Sequence, residues 1–422
     1  MKKTLDEKLH SRKIGKPNFV YNVLGSIWKL LFKKKYGINA IFKTDFRKEK
    51  GPYIVISNHA SRLDYMFVGI PLLPNKYNFV AGYNEFFRSH LAFVFKLLKV
   101  IPKKNFTADI YTIKEVTRVL KDNGKIFIFP EGMSSISGAN QPVAIGTGKF
   151  IKHFKVPVYY SVIKGGYLTS PKYCLDERCG YVEVVFDKLF SPDEIDQLTP
   201  EQIEDKMNEA IYHDDYEWNL KEGHIYKSNG EIAKNLHDLL YLCPKCGTEF
   251  KMLGEKNTIK CLECGNGATL DETYKMTPFN DKCVIPRTQT EWFKLQREKV
   301  KKEINNPDFK LVEEVELGIL PDYENLKDQK TSEIVGKGTL TFDKNGLTYQ
   351  GTKNEQLFGF CIDTKDVPTY GMCTDMSRFY TFFQGKFYEF YPKNHTVEKW
   401  FLCTEEMHRK NGGKWQDFRF KK

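Results

Sequence analysis

Two short apolar runs that break off into polar residues limit this chain more than any other feature: Tyr53 to Ile56, which leads into Asn58 and His59, and Lys125 to Phe129, which stops at Pro130, Glu131 and Gly132. Apolar runs of this length without polar alternation read as strands covered on both faces. Such strands belong to α/β sheets, whose carboxyl ends collect the side chains that do chemistry. A helix is expected to begin near Ser61 and carry Asp64 through Gly69. Thr107 reads as the N-cap of a helix through Lys121, with Gly124 as its stop. Val156 to Ile163 and Tyr181 to Phe186 add strands, and Thr199-Pro-Glu-Gln opens a helix to about Tyr212 through a capping box with proline at its first position. The alternation predicts an α/β fold with a mostly parallel central sheet flanked by helices. A chain of 422 residues exceeds one ordinary core. We divide it into a leader (1–50), an α/β domain (51–237), a cysteine module (238–275) and a small, mainly antiparallel β domain (276–422).

The formal net charge of +11 is concentrated at the front, where residues 1–50 hold 14 Lys or Arg against 4 Asp or Glu. Inside that charge lies the apolar run Phe19 to Phe32, closed by Lys33, Lys34 and Lys35. Its 14 residues fall short of the roughly 20 that a spanning helix needs. They suit a helix lying in an interface, apolar side chains inserted and lysines against anionic headgroups. No small-residue cleavage site follows it, so a peripheral protein on the cytoplasmic face of the membrane is expected. Phe86 to Val100 is also unusually apolar and reads as a core helix or as the lining of an acyl-chain groove.

His59 and Asp64 are five residues apart, about 140° of rotation on one continuous helix, so they meet only if His59 precedes the helix and Asp64 sits on its first turns. There, Asp64 would hold one imidazole nitrogen and leave the other basic and facing outward. His59 is then a general base for a hydroxyl that attacks a carbonyl, with no serine or cysteine nucleophile required. The alternative is a pair of capping residues. Glu131 at a strand end is poorly explained by packing, and Gly132 permits close backbone approach.

Asn58 to Asp64 and Phe129 to Ser135 resemble the first and third signature blocks of the glycerolipid acyltransferases, the lysophosphatidic acid acyltransferases and their relatives. Lys99 to Asn105 is similar to the second block and Lys155 to Ser161 to the fourth, so the resemblance covers about residues 20–225. It implies transfer of a fatty acyl group from an acyl carrier protein or coenzyme A thioester to a lipid hydroxyl such as that of 1-acylglycerol-3-phosphate. It assigns His59 as base and Asp64 as its orienting group, and places Glu131 and Gly132 at the acceptor. The chain departs from the family pattern where arginines are usual: the second block offers Lys103, Lys104 and Asn105, and the third has Ser134. The fourth has Tyr160 in place of a second proline. Lysine attracts phosphate but lacks the bidentate fork. Lys103, Lys104 and Arg62 are the candidate acceptor cations, and a different lipid alcohol is the alternative acceptor. A non-catalytic membrane adaptor on a degenerate fold is the reading from another class.

Of ten cysteines, Cys243, Cys246, Cys261 and Cys264 form two CxxC knuckles, each followed by glycine and separated by 14 residues. This is the pattern of a structural zinc ribbon with no open coordination position. The other six show no regular framework, as suits a reducing compartment. Ribbons are common in nucleic-acid proteins, but the module lacks a basic stripe interleaved with aromatics, so nucleic acid is not an expected partner. The basic leader points to membrane lipids and an anionic bilayer surface, and the resemblance implies acyl carrier protein as one of two donors. Further on, a helix over about Glu291 to Glu303, a hairpin turning at Asn345 and Gly346, and the aromatic run Phe379 to Tyr391 build the β domain.

Overall fold

A computed structural model describes residues 2–328 and 330–415 of the chain. Its first sheet contains β1 (Ile38–Phe42), β2 (Tyr53–Ser57), β3 (Asn78–Gly82), β4 (Ile101–Lys103), β5 (Lys125–Ile128), β6 (Val158–Lys164) and β7 (Val182–Phe190), in the order β1-β7-β6-β2-β5-β3-β4. Every pairing is parallel except that of β6 with β7. The expected mostly parallel α/β sheet is therefore present. All five residues of β2 are buried, as its unbroken apolar run requires. β2 lies between β6 and β5, and its register with β5 sets Ile56 opposite Ile128. The polar breaks after both strands consequently share the carboxyl end of the sheet.

Two helix starts differ from expectation. The helix Asp64–Leu72 begins at Asp64 itself. Asp109, not Thr107, caps Ile110–Lys121, because its carboxylate accepts both from the Thr112 N–H at 3.2 Å and from the Lys104 N–H at 2.9 Å. Thr107 donates its hydroxyl to the Lys104 carbonyl instead. In the apolar segment after Phe86, the helix Ser89–Leu97 has no buried residue and is not a core helix.

The cysteine module is a four-stranded antiparallel sheet of β8 (Met252–Glu255), β9 (Thr258–Cys261), β10 (Gly267–Leu270) and β11 (Met276–Pro278). After the helix Gln289–Glu303 comes a seven-stranded antiparallel sheet: β12 (Leu311–Ile319), β13 (Glu333–Asp343), β14 (Gly346–Lys353), β15 (Gln356–Ile362), β16 (Gly371–Met372), β17 (Phe379–Phe383) and β18 (Lys386–Pro392). The β13–β14 turn falls on Lys344 and Asn345, one residue before the expected site, since Asp343 pairs with Gly346.

The helix Val397–Lys410 was not foreseen. It is deeply buried, yet carries Glu398, Glu405, Glu406 and His408 in its interior face. Arg297 meets Glu405 at 2.8 Å and Glu406 at 2.6 Å, and this pairing lets a polar-looking sequence occupy a core position. Val55 and Phe127 of the first sheet, Leu242 and Ile259 of the cysteine module, and Trp292, Leu340 and Trp400 beyond it belong to one contiguous apolar cluster. The three folded regions share a core.

Candidate active site

His59 stands in the loop between β2 and the helix Asp64–Leu72, its backbone held at both ends. Its N–H donates to Glu131 Oε1 at 2.7 Å, and its carbonyl accepts from the Ser135 N–H at 2.7 Å. The ring stacks on Phe129 with centroids 4.6 Å apart. Nδ1 lies 2.8 Å from Asp64 Oδ2. Asp64, 1% exposed, also accepts from the Ser61 N–H and hydroxyl. Burial pushes the Asp64 carboxyl above the usual range, against the opposing pull of His59 and Ser61. With Nδ1 engaged by a fixed carboxylate, Nε2 is the free basic nitrogen, and among the described residues it has no protein partner. Asn58 sets the same loop from the other side: its amide pairs with both the carbonyl (2.8 Å) and the N–H (2.7 Å) of Ile163 on β6.

Glu131 corrects the acceptor-binding role that the resemblance gave it. Its side chain is fully buried; Oε1 accepts from His59 and from Asn140 Nδ2 (3.0 Å), and Oε2 from the Gln141 N–H (2.8 Å). Burial drives this carboxyl well above its ordinary pKa, while those N–H donors pull the other way. The group holds the His59 backbone in place. Glu131→Ala is therefore expected to lower kcat by about 100-fold, the effect of a small misplacement of a reacting group, with little change in acceptor KM. Steady-state kinetics with varied acceptor checks this; a rise in KM at constant kcat would restore the binding role.

His59 opens into a cavity of about 1730 Å³. Its walls include the apolar Trp28, Phe79, Leu91, Val94, Phe95 and Leu98, so the segment after Phe86 lines a groove. Gly132 lines it with φ +83°, where an added Cβ would stand 3.0 Å from the Phe106 ring. Lys103 lines it half-buried, its pKa lowered by partial desolvation. Arg62 lines it too, but its guanidinium is committed to the Leu175 carbonyl (2.6 Å) and faces Glu177 at 3.7 Å. Lys104 turns away, its Nζ over the Tyr83 ring and donating to the Gly385 carbonyl at 3.1 Å, so its expected place at the acceptor is also corrected. The C-terminal β domain supplies the opposite wall with Cys373, Asp375, Arg378, Tyr380 and Trp415. Sequence reasoning missed this wall and Lys172 entirely.

The sulfurs of Cys243, Cys246, Cys261 and Cys264 all lie within 4.8 Å of one another, with the Cys243–Cys264 and Cys246–Cys261 pairs at 3.7 and 3.8 Å. A tetrahedral ion with bonds of about 2.3 Å sets its sulfurs about 3.8 Å apart, so the four fit one metal ion. Gly247 and Gly265 take positive φ (+74° and +70°), making the tight turn that each knuckle needs.

Residues 39–164 match the family model described as Acyltransferase. Over these residues the chain carries an acyltransferase domain. Over 166 residues it is 31% identical to a 1-acyl-sn-glycerol-3-phosphate acyltransferase of Cocos nucifera, which is 38% of this chain and 53% of that protein. It thus spans about half the length of this curated relative. The crystal structure of the 1-acyl-sn-glycerophosphate (LPA) acyltransferase PlsC from Thermotoga maritima is similar with a TM-score of 0.39 and 18% identity, over 46% of this chain and 77% of that one.

Proposed function

We propose that this chain is an O-acyltransferase that moves a fatty acyl group from an acyl carrier protein or coenzyme A thioester to the hydroxyl of a lysophospholipid such as 1-acylglycerol-3-phosphate. The observation that carries this is the His59–Asp64 pair opening into a large, mostly apolar cavity inside an acyltransferase-family domain. His59 Nε2 takes the proton of the acceptor hydroxyl as its oxygen attacks the thioester carbonyl carbon. The tetrahedral intermediate then collapses with cleavage of the C–S bond, and the thiolate leaves with the proton held by His59. Asp64 stabilises the imidazolium between the two steps. The cavity exceeds the roughly 300–1,000 Å³ of ordinary small-molecule sites, as an enzyme that seats two acyl chains requires. Mass-spectrometric detection of product from both thioesters and a panel of acceptors tests the reading; no product from folded, metal-loaded protein would remove it.

Zinc is the metal we assign to the four cysteines. All-thiolate tetrahedral sites of this spacing favour it, and a closed set of four ligands gives it a structural role.

We also place the protein peripherally on the cytoplasmic face of a membrane. No described helix is long and apolar enough to cross one. The helix Phe19–Phe32 nevertheless leaves Phe19 and Leu30 73% and 82% exposed, with Val23, Ile27 and Leu31 beside them, next to Lys33 and Lys34. That is the face of an interfacial helix on anionic lipid. Leu30→Asp is expected to weaken binding to phosphatidylglycerol vesicles about tenfold or more, from loss of a buried leucine and addition of a negative charge. Vesicle co-sedimentation checks this, and unchanged binding would move the contact elsewhere.

A further inference from the structure

Ser134 occupies the position where the family pattern has an arginine, yet the structure does not leave that place without a cation. Lys172, from the segment after β6 and the short helix Gly166–Thr169, points its Nζ to within 3.1 Å of Ser134 Oγ. Its side chain is only 5% exposed and lines the same cavity as His59. Its neighbourhood is built from two domains: the Lys172 carbonyl accepts from the Asp375 N–H at 2.8 Å, which fastens a loop of the C-terminal β domain against it. The charged and titratable groups facing it are Glu85 from the α/β domain and Cys373 and Asp375 from that loop.

None of these carboxylates neutralises it at contact distance. Glu85 is paired with Arg88 at 2.9 Å. Asp375 accepts from the Ser377 hydroxyl at 2.6 Å and faces Arg378 at 3.5 Å. Among the described residues no carboxylate oxygen lies within 4.0 Å of Lys172 Nζ, and the same holds for Lys103 on the same cavity. An ammonium taken out of water without a counter-ion is unfavourable unless an anion arrives to meet it. Burial lowers the Lys172 pKa to about 8, so the group is still largely charged at neutral pH.

We propose that Lys172, held between Ser134 and the Cys373–Asp375 loop, receives the phosphate head group of the acceptor, and that the C-terminal β domain is the second wall of this subsite. The proposal rests on the acyltransferase reading and deepens it. Selectivity for a phosphorylated acceptor then comes from a lysine outside the signature blocks. Lys103 is a further cavity-lining lysine with no carboxylate at contact distance, and the cleft between the two domains fixes the size of head group that fits.

The test uses the full chain and compares 1-acylglycerol-3-phosphate with monoacylglycerol as acceptors. Lys172→Met, close in volume, is expected to raise KM for the phosphorylated acceptor by about 10- to 100-fold, the size of a lost charge-assisted hydrogen bond, with kcat nearly unchanged. It should leave kcat/KM for monoacylglycerol within about twofold, while Lys172→Arg keeps most of the preference for phosphate. In the wild-type protein, the ratio of kcat/KM for the phosphorylated to the unphosphorylated acceptor should fall as pH rises through about 8, where Lys172 loses its charge. That profile needs no variant and decides the matter if Lys172→Met does not fold. An unchanged acceptor ratio in Lys172→Met, a flat wild-type ratio across that pH range, or equal use of both acceptors would overturn the subsite while leaving acyl transfer standing. Absence of transfer to either acceptor would overturn the acyltransferase reading and the subsite with it.

Discussion

Replacing His59 by alanine is expected to reduce acyl transfer by about 10³- to 10⁴-fold while leaving the fold intact. In the mechanism proposed above the imidazole acts as general base and then as general acid, and such groups contribute about 10² to 10⁴ in rate. The upper part of that range applies because Nε2 has no substitute nearby. Asp64 is buried behind the ring, Glu131 is spent on three N–H donors, and the Lys172 ammonium is an acid, not a base, at neutral pH. Folding should survive, because the His59 N–H and carbonyl make their hydrogen bonds through the backbone, and Asp64 keeps its bonds from Ser61. Product formation followed by mass spectrometry, with circular dichroism as the folding control, checks this. Retained transfer in the folded variant would remove His59 from the mechanism.

The second large effect concerns stability. Exchanging Cys243 and Cys261 for serine, or stripping the metal with a chelator, is expected to unfold the cysteine module and lower the melting temperature of the entire chain by more than 10 °C. A small four-stranded module depends on its ion, whose binding contributes on the order of 10 kcal/mol to folding in isolated zinc peptides. Here the damage spreads. Trp292 donates its indole N–H to the Leu242 carbonyl at 2.7 Å, and Gln296 bonds both the Leu239 carbonyl and the Leu242 N–H, so the turn that carries Cys243 anchors the helix Gln289–Glu303. Lys399, on the buried helix Val397–Lys410, reaches Glu249, three residues after Cys246. Calorimetry with and without chelator, together with elemental analysis of the purified protein, reads the outcome. Unchanged melting and metal content in the double variant would show that the cluster is no metal site.

The strands and loops around His59 were legible because their signals are local. Period and punctuation over five to ten residues disclose a buried strand and its end, and the CxxC pairs carry their own spacing. Glu131 was misjudged for the opposite reason. An acid at a strand end looks unsuited to packing, yet three N–H donors, one from His59 and two from the irregular stretch at Asn140 and Gln141, make this one an interior residue. Lys172 lies in a stretch, Ser170-Pro-Lys-Tyr, that looks like any surface turn. Its meaning depends on Ser134 and Asp375, 38 and 203 positions away, and such contacts leave no periodic trace. The helix Val397–Lys410 escaped notice because Arg297, from another element, pairs with its Glu405 and Glu406.

The helix Phe19–Phe32 is apolar in two directions at once. Tyr21, Gly25 and Trp28 line the cavity, while Phe19, Val23, Ile27 and Leu30 face outward, on nearly opposite sides at 100° per residue. Drawing a hydrocarbon tail of about sixteen carbons through water would cost on the order of 12 kcal/mol at about 0.8 kcal/mol per methylene. With the membrane placement and acyl transfer proposed above, a threshold that is apolar on its outer side and on its inner side removes that cost: a lysolipid would pass from the bilayer edge to His59 with its tail never hydrated, and the diacyl product would return the same way.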